Sequence, residues 1–364
     1  MRVLGIESSC DETAAAVVEI DNNGHCTLLS NVVVSSLDLH ATYGGIVPEI
    51  AARSHIEAVI PVVDQAIKAS TDADDPWETI DAIAVTYGAG LGGSLLIGVL
   101  TARTLAIIKN KPLYAVNHVE GHLYANFITA VGSSPALSGL AMPASAPVFP
   151  ILGLIVSGGH SQLVLFEDHF KYRLLGQTQD DAIGEAFDKV GKLLGLPYPG
   201  GISVEKQADL GNPEAFTLPK SKMAGKYDFS FSGIKTAVLR LAQQQIGEDF
   251  SFPSTQIAVR LSDQQKSDIA ASFRRVAIAT VVDKAVQAYE EFQPKTVIIG
   301  GGVASSPALR QALAERLPIE VTYADRKLCT DNGAMIATLG CHKLFYNQPT
   351  ADPYELDIKP NLSM

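Results

Sequence analysis

The sequence has few cysteines, no excess of basic residues and no apolar run that we expect to be long enough to cross a membrane. The 4 cysteines among 364 residues fall at no metal-ligand spacing, so we expect reduced thiols in a cytoplasmic protein. The formal net charge of −11 argues against strong, unaided binding to DNA or RNA, because such affinity comes largely from neutralising phosphates. No signal peptide is expected, since the chain opens directly on a strand pattern.

The pattern of apolar segments predicts an α/β protein with two domains. With 47% hydrophobic and 18% charged residues, the chain has the composition of a globular protein and the length for two domains. A strand, a short polar turn and a second strand fill residues 3–20, and a similar unit fills residues 152–165. A glycine-rich turn at residues 87–94 separates a strand from a helix, a layout that binds ligands at strand ends. We interpret the echo between the two units as an internal duplication.

The boundaries of the two lobes follow from a change in composition. Residues 130–147 are rich in Ala, Ser, Pro and Gly and show no periodicity, which is typical of a surface loop. We therefore predict an N-terminal lobe at 1–125, a flexible loop at 126–149 and a C-terminal lobe at 150–330. A last helix, within about residues 331–364, is expected to pack back on the N-terminal lobe. A further helix at 48–69 is expected to be kinked at Pro61.

Two histidines, His118 and His122, stand four positions apart just after an apolar segment. In a helix they would share one face, with Cβ atoms about 5–6 Å apart, and could bind one metal ion together. The alternative is a pair of structural histidines that happen to fall at helical spacing. A zinc peptidase would carry a glutamate directly after the first histidine as its general base, but Val119 occupies that position and the nearest acid, Glu120, comes one residue later.

At least seven separated motifs, spread over nearly the whole chain, resemble one known family. In the first half they are residues 5–13, 43–49 and 117–122. In the second half they are residues 154–160, 184–189, 198–201, 229–236 and 329–332. Together they are similar to the TsaD family of tRNA N6-adenosine threonylcarbamoyltransferases.

The resemblance implies an actin/Hsp70-like fold of two duplicated RNase H-like lobes with a central nucleotide cleft. It implies transfer of a threonylcarbamoyl group from threonylcarbamoyl-AMP to N6 of the adenosine beside the anticodon (position 37), in tRNAs that read codons starting with adenine, with release of AMP. It also implies a heteromeric complex with a paralogous actin-like subunit of the TsaB type and a P-loop ATPase of the TsaE type.

Positions that match the family's motifs give the expected site residues. His118, His122 and Asp331 are the expected ligands of one divalent metal ion, iron(II) or zinc. The turn after residue 331 also fits Asp331 as a simple helix N-cap. Nine residues are expected to contact the substrate adenylate: Ile155, Val156, Ser157, Gly158, Gly159, Asp188, Gly201, Glu205 and Ser306. At the position of Ser306 the family usually has asparagine. Asp188 also fits a solvated helix face beside a lysine.

The implied chemistry agrees with these residue types. An adenine amine is a poor nucleophile, so the carbonyl that it attacks needs activation, which a Lewis-acid metal provides. Glycines let backbone N–H groups approach phosphate oxygens closely. Asp11 and Glu12, in the first turn, are candidate catalytic carboxylates, and they also keep open an actin-like ATPase or kinase reading. A metallopeptidase and a catalytically silent scaffold are the remaining alternatives. Against the acidic background, Lys220, Lys222 and Lys226 form a candidate tRNA-binding segment.

Overall fold

The computed structural model describes all 364 residues, and the chain divides into two compact units. The first unit comprises Met1–Val148, Ile298–Gly301 and Thr322–Met364, and the second comprises Phe149–Val297 and Gly302–Val321. The first unit therefore includes residues 126–148 of the segment that we assigned to a loop, and it also includes the C-terminal segment.

The first unit is built on a six-stranded mixed sheet with the order β5-β4-β1-β2-β3-β6. β1 pairs antiparallel with β2 and parallel with β4. Pro61 lies inside α2, which continues through it as one helix. The elements up to residue 131 are β1 (Arg2–Glu7), β2 (Glu12–Ile20), β3 (Cys26–Ser35), α1 (Leu37–Ala41), α2 (Pro48–Lys68), β4 (Ala82–Gly88), α3 (Gly92–Lys109), β5 (Leu113–Asn117), α4 (His118–Tyr124) and β6 (Ile128–Val131).

The second sheet repeats the topology of the first. Its strand order is β11-β10-β7-β8-β9. If β7 to β11 are equated in chain order with β1 to β5, this order is the same as β5-β4-β1-β2-β3 in the first sheet. This repeat confirms the predicted duplication. The remaining elements are β7 (Ile151–Val156), β8 (Ser161–Asp168), β9 (Lys171–Gln177), α5 (Ile183–Leu193), α6 (Gly200–Ala208), α7 (Ser232–Gln245), α8 (Asp263–Phe292), β10 (Thr296–Gly300), α9 (Pro307–Arg316), β11 (Val321–Tyr323) and α10 (Gly333–Phe345).

The segment predicted as a structureless loop contains a strand. β6 forms an edge of the first sheet and pairs parallel with β3, with Ile128 opposite Cys26. Leu137, further along the same segment, is buried. The sequence pattern missed the strand because four residues at a sheet edge are too few to show an alternation.

The helix α10 is central to the first unit. It packs on β1 and β2 and is buried from Gly333 to His342. The facing strand β2 carries three successive small residues, Ala14 to Ala16, and these let the helix backbone come close to the sheet. We had predicted that this last helix packs on the N-terminal lobe. Its packing on β1 and β2 sets the position of the residues just before α10.

One helix, α3, is long and apolar enough to cross a membrane by length and composition, so our prediction that no such run exists was wrong. In the structure it packs on β4 and α2, and 33% of it is buried. In its second half, Arg103 donates hydrogen bonds to the carbonyl oxygens of Pro353, Tyr354 and Leu356. A guanidinium anchored to protein backbone in this way fits packing within the unit better than contact with lipid.

Candidate functional site

The histidine pair lies on α4, which begins where β5 ends. The side-chain oxygen of Asn117 accepts hydrogen bonds from the backbone N–H groups of Val119, at 2.8 Å, and Glu120, and so caps the helix. The imidazole rings of His118 and His122 are both buried, with their centroids 4.7 Å apart. The predicted helical pair at the carboxyl end of a strand is therefore confirmed.

Asp331 reaches the same place from the turn before α10. Its Oδ1 lies 3.5 Å from Nε2 of His118 and 3.3 Å from Nε2 of His122. The cap of α10 is the next residue, Asn332, whose side chain accepts from the N–H of Met335 at 3.1 Å. The alternative that Asp331 is the N-cap is therefore wrong. One ligand atom from each of the three residues lies within 4.8 Å of the others, so the group could hold a metal ion.

The unpaired nitrogens of His122 show that these residues fit a cation. Both ring nitrogens are buried, and neither makes a hydrogen bond, although Nε2 approaches Asp331 at 3.3 Å. A buried polar atom without a partner costs about 1–3 kcal/mol, and a bound metal ion would give Nε2 its missing partner. Two imidazoles and one carboxylate are a donor set that zinc and iron both accept, and three protein ligands leave a position open for substrate.

A fourth residue, Glu7, belongs to this group, and the sequence analysis did not assign it a role. It ends β1, is fully buried, and its Oε2 lies 3.2 Å from Nδ1 of His118. Burial opposes ionisation of Glu7, but the charge and hydrogen bond of His118 prevail and lower its pKa. Burial likewise lowers the pKa of His118, but the charges of Asp331 and Glu7 outweigh it and raise that pKa to about 9. An acidic residue closing a buried strand was the signal that could have found Glu7.

Asp11 ends the turn that follows β1, and Glu12 is the first residue of β2. Burial raises the pKa of Glu12 to about 9, and the negative charges of Asp331 and Asp11 add to this effect. An actin-like kinase would need an ionised carboxylate as its general base, and the high pKa of Glu12 counts against that role.

In the second unit, the turn from Ser157 to Gly159 connects β7 to β8. The hydroxyl of Ser157 accepts from the N–H of His160 at 3.0 Å and holds the turn in shape. Gly158 and Gly159 are exposed, and a Cβ atom built on either would meet no heavy atom within 4 Å. The backbone of this turn therefore borders open space that could take a phosphate group.

Ile155 and Val156 are placed differently from the turn that follows them. Both side chains are fully buried in the core of the second unit. They support the turn from behind, and neither offers a side chain to a ligand.

The other residues expected at the adenylate lie on α5 and α6 and at the start of α9, all in the second unit. Asp188 on α5 accepts from the N–H of Gly200, the first residue of α6, at 2.8 Å, and Gly201 follows directly. The same α5 is joined to the Ser157 turn, because the N–H of Gly184 donates to the carbonyl of Ser157 at 3.2 Å. The lysine beside Asp188 pairs with Asp181 and Glu185 instead.

Glu205 and Ser306 are joined directly. The hydroxyl of Ser306 donates to Oε1 of Glu205 at 2.5 Å and accepts from the N–H of Leu309 at 3.2 Å, so it caps α9. The other oxygen of Glu205 accepts from Arg274 at 2.9 Å. The structure thus brings Glu205 and Ser306 together on α6 and α9.

Replacing Ser306 by asparagine, the residue usual in the resembled family, should leave stability and affinity for an AMP analogue nearly unchanged. Asparagine is among the best N-caps, so the cap survives, whereas Ser306→Ala should cost about 1 kcal/mol of unfolding free energy. Chemical denaturation and calorimetric titration of an AMP analogue, run on both variants, check this. A severe loss of affinity in Ser306→Asn would contradict the prediction. Full affinity in Ser306→Ala would reduce the residue to a helix cap.

Comparison with known proteins agrees with this geometry. A family model described as "TsaD: tRNA N6-adenosine threonylcarbamoyltransferase" matches residues 27–338. A protein of that name from Thermomicrobium roseum is 46% identical over 344 residues, which cover 93% of this chain and 90% of the relative. A protein of the same name from Synechococcus sp. is 43% identical, and the alignment covers 100% of this chain and 93% of the relative.

A solved structure supports the fold. Full-length HypF, in a phosphate- and nucleotide-bound form, superposes with a TM-score of 0.55 at 13% identity, covering 94% of this chain and 55% of HypF. The likeness shows a shared actin-like α/β fold and, at this identity, nothing beyond the fold.

Proposed function

Because this chain belongs to the TsaD family of tRNA N6-adenosine threonylcarbamoyltransferases, we propose that it takes the threonylcarbamoyl group from threonylcarbamoyl-AMP and places it on N6 of the adenosine beside the anticodon. The transferase activity on tRNA follows from the family. We further assign one divalent metal ion, iron(II) or zinc, to the chain and place the reaction in the cytoplasm. The group formed by His118, His122 and Asp331 is the single observation that carries the metal assignment.

Two groups of residues have different roles in the proposed reaction. His118, His122 and Asp331 would hold the metal, which when bound supplies a Lewis acid that polarises the carbonyl under attack. The exposed turn at Gly158 and Gly159 would bind the phosphate of the adenylate through its backbone N–H groups.

The bond changes of the transfer require only one proton acceptor. As the new C–N bond forms, the C–O bond to the phosphate breaks, AMP leaves and the N6 amine gives up one proton. Asp11 and Glu12 are the carboxylates at the end of the turn after β1 and the start of β2, and we assign the accepting role to this pair.

A reconstituted reaction tests the proposed function. The purified protein, with its metal and the partner subunits described below, is incubated with threonylcarbamoyl-AMP and a tRNA transcript, and the digested nucleosides are analysed by mass spectrometry. We expect threonylcarbamoyladenosine and an equal amount of AMP, and no modification of a transcript with guanosine beside the anticodon. Release of phosphate from ATP, or cleavage of peptides, without a modified nucleoside would contradict the proposal.

An apolar surface on α2 and α3 supports the proposed complex with a paralogous actin-like subunit. Ile56 and Ile60 on α2 are 61% and 58% exposed, and Leu96 and Leu100 on α3 are 41% and 44% exposed. Each pair is spaced by four residues and so shares a helix face, and the two helices pack against each other. Exposed apolar faces of this kind are typical of protein interfaces. A partner covering them would explain the high hydropathy of α3, and a P-loop ATPase would join the same assembly.

Placing a charge on this surface should break the complex without unfolding the chain. Ile60→Glu puts a carboxylate into the centre of the proposed interface, where burying it unpaired is costly. We expect at least a tenfold loss of affinity for the actin-like subunit, measured by calorimetry. The control is Leu210→Glu in the second unit, because Leu210 is 72% exposed and lies outside this surface. Equal affinity of the two variants for the partner would place the interface elsewhere.

The lysine segment remains our predicted tRNA contact, although the structure pairs two of its three charges. Lys220 lies 2.6 Å from a carboxylate oxygen of Asp283, and Lys226 pairs with Glu291, whereas Lys222 is exposed and forms no ion pair. Bound phosphates would compete with these carboxylates for the lysines.

Replacing all three lysines by alanine should weaken tRNA binding and leave adenylate binding intact. The slope of log affinity against log salt should fall by up to about three phosphate contacts. Lys68→Ala, which removes another paired surface lysine, serves as the control. An unchanged slope in the triple variant would place the tRNA surface elsewhere.

A further inference from the structure

Glu7 joins three separate parts of the first unit around one buried carboxylate. Its Oε1 accepts from the backbone N–H of Ser9 at 2.5 Å, and its Oε2 accepts from the hydroxyl of Thr86, at the end of β4, also at 2.5 Å. The third neighbour is Nδ1 of His118 on α4, 3.2 Å from Oε2. Taking a carboxylate fully out of water is costly, and these three polar partners offset that cost.

The donors around Glu7 determine which nitrogen of His118 carries the proton. The N–H of Ser9 can only donate, and the Thr86 hydroxyl donates to the other oxygen, so both oxygens act as acceptors, as in a carboxylate. A carboxylate has no proton to give, so the contact with His118 is attractive only when Nδ1 bears the hydrogen. The lone pair of the ring is then on Nε2, the nitrogen that faces Asp331.

The second neighbour of Nδ1 of His118, the hydroxyl of Ser9, does not determine the tautomer. The hydroxyl of Ser9 lies 3.1 Å from Nδ1, and a hydroxyl can donate or accept. It is therefore compatible with either tautomer of His118. Only the carboxylate of Glu7 discriminates between them.

We propose that Glu7 is a positioning residue of the metal centre, which fixes the ring orientation and the tautomer of His118 so that Nε2 is the ligand atom. This inference rests on the metal centre of the proposed function and adds a fourth residue to it. Outer carboxylates of this kind raise the basicity of a histidine ligand and restrict its rotation, and their loss typically weakens metal binding about 10–100-fold.

Glu7→Gln tests the proposal because the amide keeps the shape of the side chain but cannot accept on both sides. If its NH₂ group faces His118, it favours the tautomer with the proton on Nε2, and if it faces Ser9, it opposes the N–H there. We expect Zn²⁺ to bind about 10–100-fold more weakly in a calorimetric competition with a chelator. Nitrogen-15 NMR of the zinc-free wild-type protein should show the hydrogen on Nδ1 of His118 at a pH where the ring is neutral. Glu7→Gln should shift that equilibrium toward Nε2.

Ser9→Ala is the matched control, since it removes the other neighbour of Nδ1 and keeps the carboxylate. It should bind Zn²⁺ within about threefold of wild type. Wild-type affinity in Glu7→Gln, or a neutral His118 ring with its hydrogen on Nε2 in the wild-type protein, would overturn the proposal, and the NMR result stands even if the variant does not fold. Failure of the wild-type protein itself to bind Zn²⁺ or Fe²⁺ would overturn the metal centre, and with it this role for Glu7.

Discussion

His118→Ala is expected to remove most of the bound metal and most of the transfer activity. The variant deletes one of three ligands, and the remaining pair, His122 and Asp331, cannot enclose an ion alone. The loss of metal affinity should therefore exceed the 10–100-fold expected when only an outer partner of a ligand is removed. Elemental analysis of purified protein should show a fall from about one metal ion per chain to near zero, and the nucleoside assay should show a parallel loss.

A control separates this effect from a general loss of histidine. His25 is exposed and pairs with Asp21 in the turn between β2 and β3, so His25→Ala should keep both the metal and the activity. Unchanged metal content in His118→Ala would contradict the assignment of His118 as a metal ligand. Full metal loss with retained transfer would show that the metal supports the structure and takes no part in the reaction.

The contrast between the histidine pair and Asp331 shows what the sequence could predict. The four-residue spacing predicted that both imidazoles share one face of a helix, but it left open whether the pair binds a metal or is structural. Asp331 was assigned only through the resemblance, since nothing local tells an N-cap from the residue before it. The structure separates the two, with Asn332 as the cap and Asp331 directed at the histidines.

The role of Glu7 could not be predicted from the local sequence pattern. Its position at the end of β1 is clear from the sequence, but its partners come from β4 and α4, and only the folded sheet brings these together. The lysine segment shows the same limit, because the acids that pair with Lys220 and Lys226 lie on α8, far along the chain. The missed strand β6 has a different cause, since it is held by pairing to β3 and has no strong pattern of its own.

Gly333→Ala should destabilise the first unit and weaken metal binding at the same time. A Cβ atom at Gly333 would lie 2.5 Å from backbone atoms of Ala15 and Ala16, closer than real Cβ atoms come. These atoms belong to β2, which is held between β1 and β3 and cannot readily move. The helix α10 must therefore shift outward, and the overpacking should cost about 1–3 kcal/mol of unfolding free energy.

The shift of α10 should reach the metal site because Asp331 stands just two residues before Gly333. Thermal unfolding should show a fall of several degrees, since about 1 kcal/mol lowers the melting temperature by about 2–4 °C for a unit of this size. Zinc affinity, measured well below the melting temperature, should fall as Asp331 moves away from Nε2 of His122. Gly45→Ala is the control, because a Cβ atom there meets nothing within 4 Å. Wild-type stability in Gly333→Ala would show that α10 has room to move. Lost stability with unchanged zinc affinity would show that Asp331 keeps its place independently of the helix that follows it.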